Sequence, residues 1–320
     1  MISPLQIPVE FLGVSAAVSG MSSAEQATYL TGLAAPTTIA NLDGRGLSIS
    51  WSITRTRSSK TDAGEVTIKN LSTAFRKALY ATWQQFNATS TGFKCGVHIG
   101  WGGLVNLVMF GDVWEMVPEQ RVGEDVLTTL RFGEGQRPVK EATSDTPTQY
   151  TYQAGNVLGL WLTIQAMFGQ LGLAVDQAML PLFTAAVTRT ALSPSGTWSL
   201  DGELVDDIND TLDTFGLEWK VYQGSVIFMD RGVTAVSQDS LAVLLTASTG
   251  LLEWQPADDG AIVCKALAQP AMRPGIQFTV IDAFGVPVGS PGYRVEAVQF
   301  TGTTDGESIM TVTGRRSIPV

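Results

Sequence analysis

From Leu47 to Ile53 every second residue is apolar: Leu47, Ile49, Trp51 and Ile53 alternate with Ser48, Ser50 and Ser52. A period of two is that of a β-strand with one buried and one wetted face, and a helix cannot sort these residues onto one side. A polar, basic turn follows from Arg55. Then Glu65-Val-Thr-Ile-Lys-Asn-Leu alternates again, which predicts a hairpin with a loose tip. Ser72 stands before Thr73-Ala-Phe-Arg-Lys-Ala-Leu-Tyr, where a hydroxyl suits the N-terminus of a short helix.

The same texture continues. Residues 93–99 and 104–110 are strand candidates around Trp101-Gly-Gly; Val113-Trp-Glu-Met-Val, a proline-containing connection and Asp125-Val-Leu-Thr-Thr-Leu-Arg-Phe follow. Residues 136–150 are rich in Pro, Thr, Ser and Asp and read as a linker. Beyond it the period changes: Trp161, Ile164, Phe168 and Leu171 recur at helical spacing, as do Leu204, Ile208, Leu212 and Phe215. Gly216 falls where a helix end often needs a left-handed residue. Leu217-Glu-Trp-Lys-Val-Tyr, Gln223-Gly and Ser225-Val-Ile-Phe-Met then form a hairpin pattern. The last third returns to strands at 260–267, 275–282, 293–300 and 308–314. Residues 113–117, a turn and 126–132 have the same layout as 293–300, a turn and 309–314, a faint internal echo. The fold class expected is mainly β with an α+β middle region. The expected domains are residues 1–145, 146–232 and 233–320.

At 44% hydrophobic and 16% charged residues, the 320-residue chain has the apolar content of a folded protein and too little charge for a disordered one. Its length suits two or three domains. With Lys+Arg 20 against Asp+Glu 30, the formal charge of −10 makes it a poor grip for nucleic acid, which needs clustered cations to displace counterions. Like charge does suit a passage through which a polyanion slides. The stretch 146–175 carries no charged residue, but its interleaved Gly, Asn and Gln and its helical spacing fit a helix packed on a core rather than a membrane span. The N-terminal residues lack the basic and apolar regions of a signal peptide.

Candidate chemistry is sparse. Cys95 and Cys264 form no CxxC and read as small buried hydrophobes. The one histidine, His98, lies three residues from Cys95, an odd offset that sends the two to opposite faces of a strand. The acidic run 206–218 places Glu218 at position twelve of a calcium-loop count from Asp207, yet Leu212 occupies the position that needs glycine, so a solvated helix face is expected. Asp258-Asp259 is not positioned as a glycosidase pair. No GxSxG, HExxH or phosphate loop is present. Trp51, Trp83, Trp101, Trp114, Trp161, Trp198, Trp219 and Trp254 are spread along the chain and suit core or subunit contacts rather than a sugar platform. The expectation is no catalytic residues, no cofactor and no metal.

Taken in order, these features resemble the baseplate hub proteins of contractile-tailed bacteriophages. Residues 47–56, the polar turn and the strand ending Asn70-Leu-Ser match the opening hairpin of that family; the short helix with the basic pair Arg76-Lys77 follows. Val97-His-Ile-Gly-Trp, Val108-Met-Phe-Gly-Asp-Val, Phe215-Gly-Leu-Glu-Trp, Ala268-Gln-Pro-Ala-Met-Arg-Pro-Gly-Ile-Gln-Phe and Gly292-Tyr-Arg-Val-Glu-Ala-Val-Gln-Phe continue it over residues 41–316. Residues 13–40, rich in small side chains, depart from the pattern. The resemblance implies two tail-tube-like β-barrels with an inserted smaller domain, assembled as a trimer whose six barrels imitate a sixfold tail tube. It implies a structural, non-enzymatic virion component with the tail tube or a tube initiator, a spike and baseplate wedge proteins as partners. DNA would pass through the bore without specific binding. The alternatives are a tail-associated cell-wall or polysaccharide hydrolase, the hub of a bacterial contractile injection system, and a β-rich adhesin.

Overall fold

The computed structural model describes residues 8–12, 37–40, 48–57, 61–87, 93–101, 104–135, 149–152, 156–190, 196–199, 204–222, 225–231, 243–304 and 306–316. Most of the alternating segments join one large curled sheet. Its strands are β1 (Pro8–Leu12), β2 (Thr37–Ala40), β3 (Ile49–Thr56), β4 (Ala63–Lys69), β5 (Lys94–Trp101), β6 (Leu104–Val122) and β7 (Asp125–Gly133) from the first part of the chain. Helix α1 (Thr73–Asn87) connects β4 to β5. The middle of the chain supplies β8 (Gln149–Tyr152), α2 (Val157–Gln170), β9 (Ala174–Val175), α3 (Leu180–Arg189), β10 (Gly196–Ser199), α4 (Leu204–Thr214), β11 (Leu217–Tyr222) and β12 (Ser225–Asp230). The last part returns to the sheet with β13 (Val243–Leu245), β14 (Leu251–Pro256), β15 (Ala261–Leu267), β16 (Gln277–Ile281), β17 (Pro287–Thr303) and β18 (Ser308–Arg316).

The strand order runs β14-β15-β18-β17-β3-β4-β7-β6-β5-β1-β2, with β16 on β17 and β13 on β16. The predicted alternation sorts the residues as expected: Ile49, Trp51 and Ile53 are buried on β3, and Val66 and Ile68 beside them on β4. The two sets of strands expected of the tube-like barrels are both present, and they share one core because β17 pairs with β3 from Ala297↔Thr56 to Thr303↔Ser50. Ile49 completes that seam. Its N–H donates to Thr304 Oγ1 at 3.0 Å, and its carbonyl accepts from the Thr304 N–H at 2.8 Å.

The echo is realised as a repeated plan. Strands β3-β4-β7-β6-β5 lie in the same spatial order as β14-β15-β18-β17-β16 and are met in the same order along the chain. Both long hairpins carry a register shift at the same place, between Val113 and Glu115 in β6 and between Val295 and Ala297 in β17. Aligning these shifts superimposes Leu130 on Val312, and through the neighbouring strands Val66 on Cys264 and Trp51 on Trp254.

Two boundaries differ from expectation. Residues 104–110 and 113–117 belong to a single strand, β6, which runs past Pro118 to Val122. Proline lacks the ladder donor and is tolerated in strands at bulges, and the β6–β7 register shifts between Val117 and Gln120. Helix α3 was not foreseen; it carries Pro181 in its first turn, where a missing N–H costs nothing. The linker expected at 136–150 lies mostly outside the described residues, as does most of 13–40.

The middle segment has its own core. The three-stranded sheet β11-β12-β9 is packed against α2, α3 and α4. The helical periodicities land as expected: Trp161, Ile164, Phe168 and Leu171 are buried, as are Leu204, Ile208, Leu212 and Phe215. Phe168 meets Trp219 edge-on with centroids 4.9 Å apart, and Trp161 meets Phe228 at 5.9 Å. The buried Trp219 N–H donates to Asn209 Oδ1 at 2.9 Å. Asn156 caps α2 by accepting from the Gly159 N–H at 2.8 Å, and Gly216 closes α4 with φ +67. No helix among the described residues is long and apolar enough to cross a membrane.

Candidate functional site: the sheet edges, the hydroxyl face and a buried junction

Alternation that buries one side of the central sheet leaves the other as a wall of short hydroxyl and amide side chains. The pairing places Thr301 beside Ser52 and Glu65, and Thr303 beside Ser50 and Thr67. Gln299 lies between Thr311 and Thr54. Thr67 and Thr129 hydroxyls are 3.1 Å apart. Charge on this wall is partly compensated: Arg131 bridges Glu65 at 2.8 Å and Glu115 at 2.9 Å across three strands, leaving one carboxylate in excess. The opposite face is covered in the first half by α1, whose Leu79 enters the core and whose Trp83 N–H donates to the Val113 carbonyl at 3.0 Å.

The sheet ends in open edges. Among the described residues strand β14 pairs only with β15, and its residues 252–256 are exposed, with Leu252 and Trp254 among the exposed large apolar side chains. Residues 119–122 of β6 are exposed as well, and β5 accompanies β6 only as far as Asp112. Unpaired edges with apolar side chains invite another strand. A second projecting feature is the β16–β17 turn. There the Asp282 carboxylate accepts from the Phe284 N–H at 2.9 Å and the Val286 N–H at 2.8 Å, presenting a 90% exposed Phe284.

The third feature is electrostatic. Arg55, Asp62, Glu134 and Lys220 are all essentially removed from solvent where β11 meets the ends of β3, β4 and β7. Arg55 pairs with Glu134 at 2.9 Å and with Asp62 at 3.5 Å. Lys220 Nζ donates to the Thr56 carbonyl at 2.7 Å and to Asp62 Oδ1. Glu134 also accepts from the Phe110 N–H at 3.2 Å. The guanidiniums of Arg55 and Arg273 lie against the Tyr222 ring at 5.0 and 4.8 Å. Two cations and two carboxylates cancel in charge, but burial dominates each group of the central pair. It pushes the Asp62 carboxyl above its ordinary range and the Lys220 ammonium below its own, in both cases against the attraction of the partner. Around this centre, Arg57 pairs with Glu218 at 3.1 Å and donates to the Asp230 carbonyl at 3.1 Å. Polar contacts thus bind the middle segment to the sheet, and the two hydrophobic cores stay separate. Nothing in the sequence flagged this quartet, because its members lie up to 165 positions apart (220 − 55).

The residues weighed for chemistry do not converge. Cys95 and Cys264 are buried free thiols on β5 and β15; burial pushes both up, Cys264 to about 12, which leaves them inert as nucleophiles. On β5, Cys95, Val97 and Ile99 are buried in the alternation expected there, the register shift between Val97 and His98 placing its extra residue, Val108, on β6; the His98 side chain lies outside the described residues. The acidic run is helical as far as Thr214 and its last member, Glu218, lies on β11; Asp213 and Glu218 both pair with Arg231. Asp258-Asp259 forms an exposed turn. Among the described residues no group of three metal-ligating side chains gathers. Trp51, Trp161 and Trp219 are core residues, while Trp114 and Trp254 are exposed; the side chains of Trp101 and Trp198 lie outside the described residues.

No protein-family model and no curated protein sequence matches the chain. Solved structures do. The chain is similar to the 43 kDa tail protein of prophage MuSo2 from Shewanella oneidensis, with TM-score 0.59 and 10% identity over 98% of this chain and 97% of that one. It is similar to a tail protein of Neisseria meningitidis, with TM-score 0.51 and 11% identity over 85% of this chain and 96% of that one. A chain of the Francisella PdpA–VgrG complex matches all of this chain over 59% of its own length, with TM-score 0.53 and 7% identity. The chain has the fold of phage tail proteins.

Proposed function

We propose that this protein is a structural component of a phage tail baseplate, a central hub ring that joins tail tube to spike and surrounds the DNA path. The observation that carries the reading is the end-to-end likeness to a phage tail protein, over 98% of this chain. The repeated five-strand plan supports it. Three copies of a chain with two such plans present six similar units, which suits a sixfold tube above. We assign residues 1–145 and 233–320 to the tube-like parts and 146–232 to the inserted α+β unit. Its proposed place is the virion tail, after synthesis in the host cytoplasm.

In this reading the face bearing Ser50, Ser52, Thr54, Gln299 and Thr301 lines the bore. Short neutral side chains bind water, the Arg131 guanidinium on the same face is held between Glu65 and Glu115, and the acidic balance of the chain adds repulsion. The function is mechanical, with no catalytic residue and no cofactor. Spike, tube and wedge proteins are the partners, Phe284 being one prepared contact point. The hub of a bacterial contractile injection system is the nearest second reading, favoured by the match to the PdpA–VgrG complex. Native mass measurement of the purified protein over a range of concentrations tests the ring. A three-copy species is expected; a chain that stays monomeric throughout and is absent from purified particles refutes it.

A further inference from the structure

The molecule contains, inside one chain, an example of the contact that its open edges lack. Trp51 on β3 stands opposite Gly302 of β17, and a Cβ on that glycine would meet the Trp51 ring at 2.5 Å. The ring is 4% exposed. In the second copy of the five-strand plan its counterpart is Trp254 on β14, and there the ring is 38% exposed, with no strand beyond β14 among the described residues. The first plan has the complementary vacancy. Strand β17 is long because its N-terminal half pairs with β16 and its C-terminal half with β3. Strand β6 is its counterpart and pairs with β5 in its N-terminal half, while among the described residues no strand accompanies 119–122 on that side.

We propose that β14 of one copy adds antiparallel to residues 119–122 of β6 in a second copy, repeating between chains the β3–β17 contact made within each chain. The register transfers through the shared partners. Thr303↔Ser50 becomes Val122 opposite the second copy's Glu253, Gly302↔Trp51 becomes Arg121 opposite Trp254, and Thr301↔Ser52 becomes Gln120 opposite Gln255. Arg121 stands where the internal contact has a glycine; its side chain is 77% exposed and its Nε donates to Glu119 Oε1 at 3.2 Å. A Cβ there excludes the ring position that Trp51 takes over Gly302. The contact between chains therefore keeps the strand register and not the ring packing, with the Trp254 indole, the preferred ring for such a cation, beside the Arg121 guanidinium. The two edges belong to different parts of the surface, so the contact is heterologous and propagates from copy to copy until it closes.

This inference rests on the ring reading above and adds the interface to it. The test is a double variant, Gln120→Cys with Gln255→Cys, oxidised or treated with a short bis-maleimide. Cys95 and Cys264 are buried and give no background. Covalent multimers ending at the size of the closed ring are expected, with neither single variant linking beyond background. Trp254→Ala is expected to raise the concentration needed for assembly roughly tenfold or more. A ring seen by native mass in which the paired cysteines do not link, or in which Trp254→Ala assembles like the parent, overturns the interface and leaves the ring standing. A parent protein that never assembles overturns both.

Discussion

Gly111 of β6 lies tight against the end of β7: an added Cβ would sit 2.2 Å from the Gly133 carbonyl carbon and oxygen. Backbone cannot swing aside as a side chain can, so Gly111→Ala is expected to destabilise the sheet by about 1–3 kcal/mol, read as a lowered Tm. The buried quartet makes sharper demands. Removing one member leaves a charge buried without its partner, and Lys220→Met is expected to cost about 3–5 kcal/mol by denaturant titration. The double change Asp62→Asn with Lys220→Met is expected to recover most of that loss, because burial already outweighs attraction for both groups. The pH dependence follows with definite sign. The raised Asp62 carboxyl contributes stability at low pH that is lost as pH climbs from about 3.9 through its raised range. Lowered Lys220 contributes stability that is present above about 10.4 and is lost as pH falls through its depressed range. Both slopes are expected to vanish in the double variant; slopes unchanged from the parent contradict the assignment.

At the scale of elements, strands with one wet face were legible because period two survives without any tertiary knowledge: β3, β4 and β15 show it residue by residue. Helices α2 and α4 were legible for the matching reason, their apolar positions recurring at a helical period. What escaped was set by partners. Strand β14 is exposed on both faces, so its sequence, Leu-Leu-Glu-Trp-Gln-Pro, carries no alternation to read. Strand β6 crosses Pro118 because a bulge absorbs it, and a bulge is a property of two strands. The quartet has no local pattern at all. The Phe284 turn belongs here too. Its apolar tip is held by Asp282 and buries nothing within the chain, so Phe284→Ser is expected to leave stability within about 0.5 kcal/mol of the parent while weakening capture of a tail partner in a pull-down. Loss of folding in that variant would mean the turn serves the core instead.

For the whole molecule, the decisive arrangement is one sheet built twice on the same plan, with an α+β unit held to its side by buried charge and two exposed strand edges, β14 and residues 119–122 of β6. A body that has finished folding does not ordinarily leave Trp254 half in water at an unpaired edge. In the proposed ring, closure between copies covers that edge and turns the hydroxyl face inward around a passage. Imaging of the assembled protein along its axis tests this most directly. The account predicts a closed annulus with threefold symmetry, six similar sheet units around an open bore, and the Ser50–Thr301 face towards that bore. A filled particle, an open filament, or an annulus with α1 turned towards its centre contradicts it.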